Sequence, residues 1–454
     1  MAQDVFAYQD EAAKIMAPRP RNGLFDAMGV GKTATEIRTQ DYRQHWYQSG
    51  REGIVICPAA IRENWRKEWL RFQTVPRRII KVNSVYDMNA WFKGHYDVAL
   101  ISFERAAAFA PYFQRECKTF DFCIIDEGHY LKSPTSKRAQ SILGESFDGF
   151  GGIIQWAAYA DWVSGTPAPN DPADLWTWLR FLNGPMPLDL IAFKRKYFSC
   201  TPTTYGSRSR PKAGAALQEL QGIISANSIA RSMADVGIHL PPIMLTMTTV
   251  DGDVRQVMEL LQQFPGMDER IMACLRDGGD LSALEDEHIA ALRRVIGEAK
   301  ALPYAHMLAN DFSSGLHKAV IFGHHRAALQ QIGAYLNSKG YKGVAIQGGT
   351  SESDRDDAVE RFNKDKSCRF FLGNHKAAGV GLNLQEDCAH VDIFESDWTP
   401  TANAQSIKRV ARYGQTRSMR GRFISLNHWL EEAIQEINKD KTERILSLGL
   451  PELL

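Results

Sequence analysis

The chain has 454 residues, 44% hydrophobic and 24% charged, a composition that suits two or three globular domains and excludes a disordered or fibrous protein. A formal charge of +1 excludes a histone-like polycation, so any nucleic-acid contact must come from local basic patches and backbone amides. The seven cysteines form no C-x-x-C pair and lack a histidine at zinc spacing, which argues against a disulfide framework or zinc module and for a reducing cytosol. No uncharged apolar stretch reaches roughly 18 residues, and the N-terminus is acidic and polar, so a soluble, cytoplasmic chain is expected.

In chain order, the short apolar Gly23-Leu-Phe25 leads into a glycine-rich loop and a helix expected over Ala34–Tyr42. Apolar runs bounded by turn residues predict buried strands at Gly53–Cys57, Val98–Ser102, Phe122–Asp126 and Trp162–Gly165. Residues 174–303 read as mainly helical, broken by the basic, turn-rich stretch 206–212 and by Leu240-Pro-Pro242, near which a boundary is expected. Strands return at Ala319–Gly323, Gly343–Gln347, Phe370–Gly373 and Val391–Glu395, with amphipathic segments such as Ala327–Leu336 between them. This alternation predicts an α/β fold of parallel sheets flanked by helices, in two tandem lobes at residues 1–240 and 241–454 with helical insertions between them.

The loop Asp26-Ala-Met-Gly-Val-Gly-Lys-Thr33 has the G-K-T end of a phosphate loop, although Asp26 stands where the first glycine is usual. Gly29 and Gly31 let the backbone turn its N–H groups inward, and the following helix N-terminus adds positive potential. Lys32 is then placed to reach the β- and γ-phosphates, and Thr33 to ligate Mg²⁺. A plain strand-to-helix turn would carry the same glycines, so a second element decides: Phe122-Cys-Ile-Ile-Asp-Glu-Gly-His129 ends an apolar strand in adjacent carboxylates. Asp126 suits the Mg²⁺ water shell and Glu127 the orientation or deprotonation of the attacking water. His129 either senses the γ-phosphate and passes the signal on, or simply packs at the turn.

Near the other end, Arg409 and Arg412 are three apart in Gln405-Ser-Ile-Lys-Arg-Val-Ala-Arg-Tyr-Gly-Gln415, so a helix there would point both guanidiniums at one anion. Alone, the segment would read as a solvated basic face. Downstream of a complete phosphate site it reads as a pair stabilising charge on a transferring phosphoryl.

The set of motifs resembles the Swi/Snf family of superfamily-two helicase-like ATPases over nearly the whole chain. Tyr8-Gln9 resembles the family's opening aromatic-Gln, and Asp26 to Thr33 its D-E-M-G-L-G-K-T. Val55 to Trp65, Asp126-Glu-Gly-His129 with Leu131-Lys-Ser133, and Ser164-Gly-Thr-Pro-Ala-Pro-Asn170 with 173–182 follow in the family's order. In the second half, Gly348-Gly-Thr-Ser351 with Arg355 and Arg361-Phe-Asn363, Ala378-Gly-Val-Gly-Leu-Asn-Leu384, Ser396-Asp-Trp-Thr-Pro400 and Arg412-Tyr-Gly-Gln415 complete the series. The departures are Ala27 for an acid, Gly128 for alanine, His375-Lys376 for Ser/Thr-Arg, and Lys408 and Ala411 for Asp and His.

The resemblance implies two RecA-like lobes with ATP in a cleft on one side and a groove for the DNA backbone across the other. It implies ATP contacts from Gln9, Met28, Gly29, Val30, Gly31, Lys32, Thr33, Gly379 and Gly381, and coupling through His129 and Gln405. It further implies DNA contacts from Arg62, Asn64, Thr166, Pro167, Thr350, Ser351, Lys376, Asn383 and Trp398. Arg208, Arg210 and Lys212 read either as an added basic contact or as a solvated loop. Trp65, Trp69, Trp176 and Trp178 are expected in packing rather than base stacking.

The expectation is a DNA-stimulated ATPase that translocates on duplex DNA, alone or lending its motor to a protein partner, in a bacterial or viral setting. The alternatives are a strand-separating superfamily-two helicase, against which the context of Trp398 and Gly414-Gln415 argues, and an ATP-gated DNA clamp without turnover. No module beyond the two lobes is expected.

Overall fold

The computed structural model describes residues 3–145, 151–182, 189–203, 206–264, 266, 269, 287–375, 381–397, 399–429, 431, 432, 435 and 438. They divide into two compact units, one built mainly from Met1–Ser199 and Ser209–Ile238, the other mainly from His239–Glu443. Among the described residues no helix is long and apolar enough to cross a membrane.

The first unit is built on β1 (Arg21–Leu24), β2 (Gly53–Cys57), β3 (Ile79–Lys81), β4 (Val98–Ser102), β5 (Phe120–Asp126) and β6 (Ala157–Val163). After the two-stranded ribbon of β7 (Phe198–Thr203) and β8 (Gly206–Pro211), β9 (Ser228–Ile229) adds a seventh strand to the sheet. The order is β3-β4-β2-β5-β6-β1-β9, and every pairing is parallel. Such a sheet is covered on both faces, which is why β2 and β4 are buried at every residue and read as apolar runs rather than alternations.

The second unit carries β10 (Ile243–Val250), β11 (Ala319–Gly323), β12 (Lys342–Ile346), β13 (Cys368–Asn374), β14 (His390–Ile393) and β15 (Met419–Leu426). These pair in the order β10-β15-β14-β11-β13-β12, again all parallel. Two stretches differ from the sequence reading. The basic segment read as a turn forms β8, and β10, within the region read as helical, runs in register with β15 over its whole length. As an edge strand β10 leaves Met244, Leu245 and Met247 exposed, so its apolar residues do not mark a buried face.

The helix Lys32–Tyr47 is pinned to the first sheet by charge as well as apolar contact. Arg43, fully buried, reaches Asp161 on β6 at 2.5 and 3.0 Å, and Asn22 on β1 donates to the same carboxylate at 2.8 Å. Glu36, one turn from Lys32 on that helix, is also fully buried; desolvation and the nearby Asp161 charge raise its carboxyl well above the usual range and so favour the neutral form.

Candidate functional site

The loop after β1 turns on two glycines in left-handed conformation, Gly29 at φ 92° and Gly31 at φ 90°, which β-carbon-bearing residues rarely adopt. Gly31 precedes the helix that Lys32 opens, so the loop N–H groups and the helix N-terminus form one cradle. Tyr8 and Gln9 brace it: the Tyr8 hydroxyl donates to the Val30 carbonyl at 2.8 Å, and the Gln9 amide to those of Val30 and Gly31 at 3.1 and 3.2 Å. Met28 and Val30 are buried side chains, so what they offer a ligand is backbone. Lys32 Nζ donates to the carbonyls of Asp26 and Ala27 at 2.9 and 3.2 Å, and a β-carbon at Gly165 would stand 3.1 Å from it.

Asp26 is not a phosphate-facing residue. Its fully buried carboxylate takes a bidentate grip from Arg231, at 3.0 and 2.5 Å, while the Arg231 carbonyl accepts from the Ala27 N–H at 2.8 Å. The ion pair therefore ties the loop to the chain just beyond β9. Arg231 lies 205 positions away, and no sequence pattern announced it.

At the end of β5, Asp126 is 8% exposed; its Oδ2 accepts from the Trp65 indole N–H at 2.7 Å and its Oδ1 from the Glu127 N–H at 2.9 Å. Trp65 was expected only to pack, yet its N–H aims the carboxylate. Burial and the neighbouring Glu127 push Asp126 up to about 7, against the opposing pull of Trp65 and Lys32. Glu127 has a left-handed backbone, φ 56°, unusual for a residue with a side chain and typical of strain held at functional sites. His129 Nδ1 shares a hydrogen bond with Ser164 Oγ at 3.1 Å, and Ser164 Oγ accepts from the Thr166 N–H at 3.1 Å. Burial and the Lys132 charge hold His129 down to about 3, so it works as a neutral imidazole linking the 126–129 turn to the 164–166 segment. A β-carbon at 128 would run into the Trp162 indole, which accounts for glycine there.

Thr33 and Asp126 offer the hard oxygen donors that Mg²⁺ prefers, and the glycine cradle with Lys32 suits phosphate oxygens, so these residues fit a magnesium nucleotide. A carboxyl that ionises near 7 in the fold but at about 3.8 when exposed contributes stability that is complete below the lower value and lost as pH rises through 7. Asp126→Asn, in a chelator, is therefore expected to gain stability over the parent by about 1.4 kcal/mol per pH unit between pH 5 and 7, levelling off above. Urea midpoints across that range test it; an Asn variant less stable at pH 8 would show that the charged form is structurally required.

Of the residues expected to touch DNA, Arg62 bonds the Val82 carbonyl and Asn83, at 3.0 and 2.9 Å. Asn64 lies in the helix Arg62–Phe72. Thr166, at 2% exposure, and Pro167 are buried.

In the second unit, Thr350 Oγ1 accepts from the Gln347 N–H at 3.0 Å, and Ser351 caps the helix Glu352–Lys364 by accepting from the Asp354 N–H at 3.2 Å. Gly381 is left-handed, at φ 82°. Gly379, Lys376 and Trp398 lie outside the described residues, as do the side chain of Arg208 and its surroundings.

Arg409 and Arg412 do not share a helix face. The helix Pro400–Ile407 ends before them, because Val410 and Ala411 turn into the core and the Arg409 carbonyl accepts from the Leu384 N–H at 3.0 Å. The two guanidiniums converge nonetheless: both donate to the Leu382 carbonyl, at 3.4 and 3.2 Å, and Arg412 also donates to Asn383. The Gln405 carbonyl orients Arg409 by accepting from its Nε at 2.9 Å. His375, a position that departs from the resembled pattern, is buried between the Ser406 hydroxyl and the Glu395 carbonyl, 2.8 Å from each, and so ties the end of β13 to this arginine segment.

Known proteins resemble this chain over most of its length. The SNF2-related domain matches residues 8–262 and the helicase conserved C-terminal domain residues 304–414. The chain is 25% identical over 459 residues to the SWI/SNF-related matrix-associated actin-dependent regulator of chromatin subfamily A-like protein 1 of Drosophila melanogaster, covering 97% of this chain and 55% of the relative. It is 25% identical over 421 residues to the human DNA annealing helicase and endonuclease ZRANB3, covering 90% of this chain and 37% of the relative. The chain thus spans about half or less of the length of these relatives. Among solved structures, the Sulfolobus solfataricus SWI2/SNF2 ATPase core in complex with dsDNA gives a TM-score of 0.46 at 19% identity, over 99% of this chain and 94% of that chain. With the first domain matching more than half of its length, the chain belongs to the SNF2-related family.

Proposed function

We propose that the chain is an ATP-dependent translocase on double-stranded DNA, of Swi/Snf type, which moves along the duplex or remodels bound proteins, junctions or annealing strands. The observation that carries this reading is the clustering, at the carboxyl ends of parallel strands, of a glycine cradle with Lys32, an indole-aimed Asp126 and a backbone-strained Glu127. Residues 1–240 form the ATP-binding lobe and 241–454 the second lobe, to which Gly379 and Gly381 contribute ATP contacts.

Bound ATP supplies the phosphoanhydride, and Mg²⁺ offsets charge on its oxygens. Lys32 would hold the β- and γ-phosphate end, Thr33 and Asp126 would hold the cation, and Glu127 would orient the attacking water and accept its proton. The hydrogen bonds from His129 through Ser164 to Thr166 carry the state of the γ-phosphate end toward the DNA side. Arg409 and Arg412 meet the charge that develops on the transferring phosphoryl. Arg62, Asn64, Thr166, Pro167, Thr350, Ser351, Lys376, Asn383 and Trp398 hold the phosphodiester backbone without reading sequence. The site of action is the cytoplasm, of a bacterium or of a virus-infected host, with a protein partner as a further expectation.

ATP hydrolysis measured with no nucleic acid, duplex DNA, single-stranded DNA or duplex RNA, at two salt concentrations, tests the proposal. Duplex DNA is expected to stimulate most, less so at high salt. Glu127→Gln is expected to lower turnover about 10²–10⁴-fold while ATP still binds. Stimulation chiefly by single strands or RNA would favour a strand-separating helicase, and no turnover under any condition would favour a clamp.

A further inference from the structure

The second unit holds a cavity of about 410 Å³ among the residues at the amino ends of β11, β14 and β15, three strands that lie side by side. The segments assigned to ATP and DNA leave the carboxyl ends of these and neighbouring strands, so the cavity belongs to the opposite rim of the sheet. Two of its cations are matched internally. Arg422 forks onto Asp392 at 2.8 Å through two nitrogens and reaches Asp311 at 2.7 Å; Lys318 lies 3.0 Å from Asp387.

Two are not matched in this way. Arg417 comes no nearer than 3.9 Å to Asp387, whose carboxylate is already taken by Lys318 and by His317 at 3.0 Å. The Arg417 side chain is 41% exposed, and one of its terminal nitrogens lacks a hydrogen-bond acceptor among the described residues. Arg420, across from His390 in the ladder, is exposed at the rim. The positive excess of the cavity thus rests on Arg417 and Arg420, beside the hydroxyl of Ser418.

We infer that this cavity is a second anion site, separate from the motor, built for a phosphate group that Arg417 and Arg420 grip together. Guanidinium forks match phosphate oxygens in geometry and charge, and the volume admits a phosphate with a small organic body. The same chemistry is offered by a free phosphorylated compound and by the phosphodiester of a nucleic acid strand. The inference does not depend on the motor reading, since none of its residues is assigned to ATP or translocation.

Hydrogen–deuterium exchange on the full chain tests it, in a Lys32→Ala background so that the phosphate loop does not dominate the response. Pyrophosphate and a short DNA duplex are the two probes. Slowed exchange, at least threefold, is expected in 314–318, 387–390 and 416–420, with the half-saturating concentration raised at least tenfold in Arg417→Ala/Arg420→Ala. Arg420→Ala alone, at an exposed position, should give the same direction of change and guards against misfolding of the double variant. Protection by pyrophosphate identifies a free phosphate compound as the ligand, and protection by DNA alone identifies the phosphodiester. No protection from either probe, or protection undiminished in both variants, overturns the assignment.

Discussion

Arg409→Ala and Arg412→Ala are each expected to lower duplex-stimulated ATP turnover about 10³–10⁵-fold, the range seen when an arginine that stabilises the transferring phosphoryl is lost. The expectation rests on convergence: guanidiniums that both reach the Leu382 carbonyl are close enough to meet one anion. Lysine should not rescue either position, because a point charge lacks the planar fork that addresses two oxygens at once. The loss should fall on kcat, with the KM for ATP changed much less, since an interaction formed with developing charge is absent from the ground state. Steady-state kinetics at saturating duplex separate the two. Variants within tenfold of the parent would reduce both arginines to braces of the 382–383 turn.

Asp161→Ala is expected to cost about 3–5 kcal/mol of stability by leaving Arg43 buried without its counter-ion. The neighbouring Glu36 complicates this in a testable way. Asp161 is among the causes that raise its carboxyl, and removing Asp161 while Arg43 stays is expected to let Glu36 ionise in its place. The single variant should therefore sit toward the lower end of the range. Glu36→Gln/Asp161→Ala should lose more than the two single losses together. Urea unfolding of the four proteins at pH 7.5 gives the comparison; strict additivity would show that Glu36 takes no part in compensating Arg43.

Fold class was legible in the sequence because parallel sheets bury both faces of a strand, so β2, β4 and β11 stand out as continuous apolar runs with sharp ends. The edge strand β10 escaped notice because its exposed methionines and threonines give neither a buried run nor a clean alternation. The left-handed glycine turn at 29–31 and the paired carboxylates at the end of β5 were legible since each is local in sequence. What sequence could not supply were the long-range partners, Arg231 for Asp26 and Trp65 for Asp126. The convergence of Arg409 and Arg412 was anticipated through helical spacing, whereas a turn fixed by core packing of Val410 and Ala411 produces it.

The glycine at 128 and the tryptophan at 162 occupy one shared volume, the indole filling the space a methyl group would need. Position 128 is therefore not free to gain a side chain while the indole stays. Alanine at 128 requires the residue at 162 to shrink or swing aside, whereas a smaller residue at 162 with Gly128 kept leaves a void beside the turn. Space for a methyl group at this turn is thus made by giving up the indole, and a compensated exchange, alanine at 128 with a smaller residue at 162, keeps the shared volume filled.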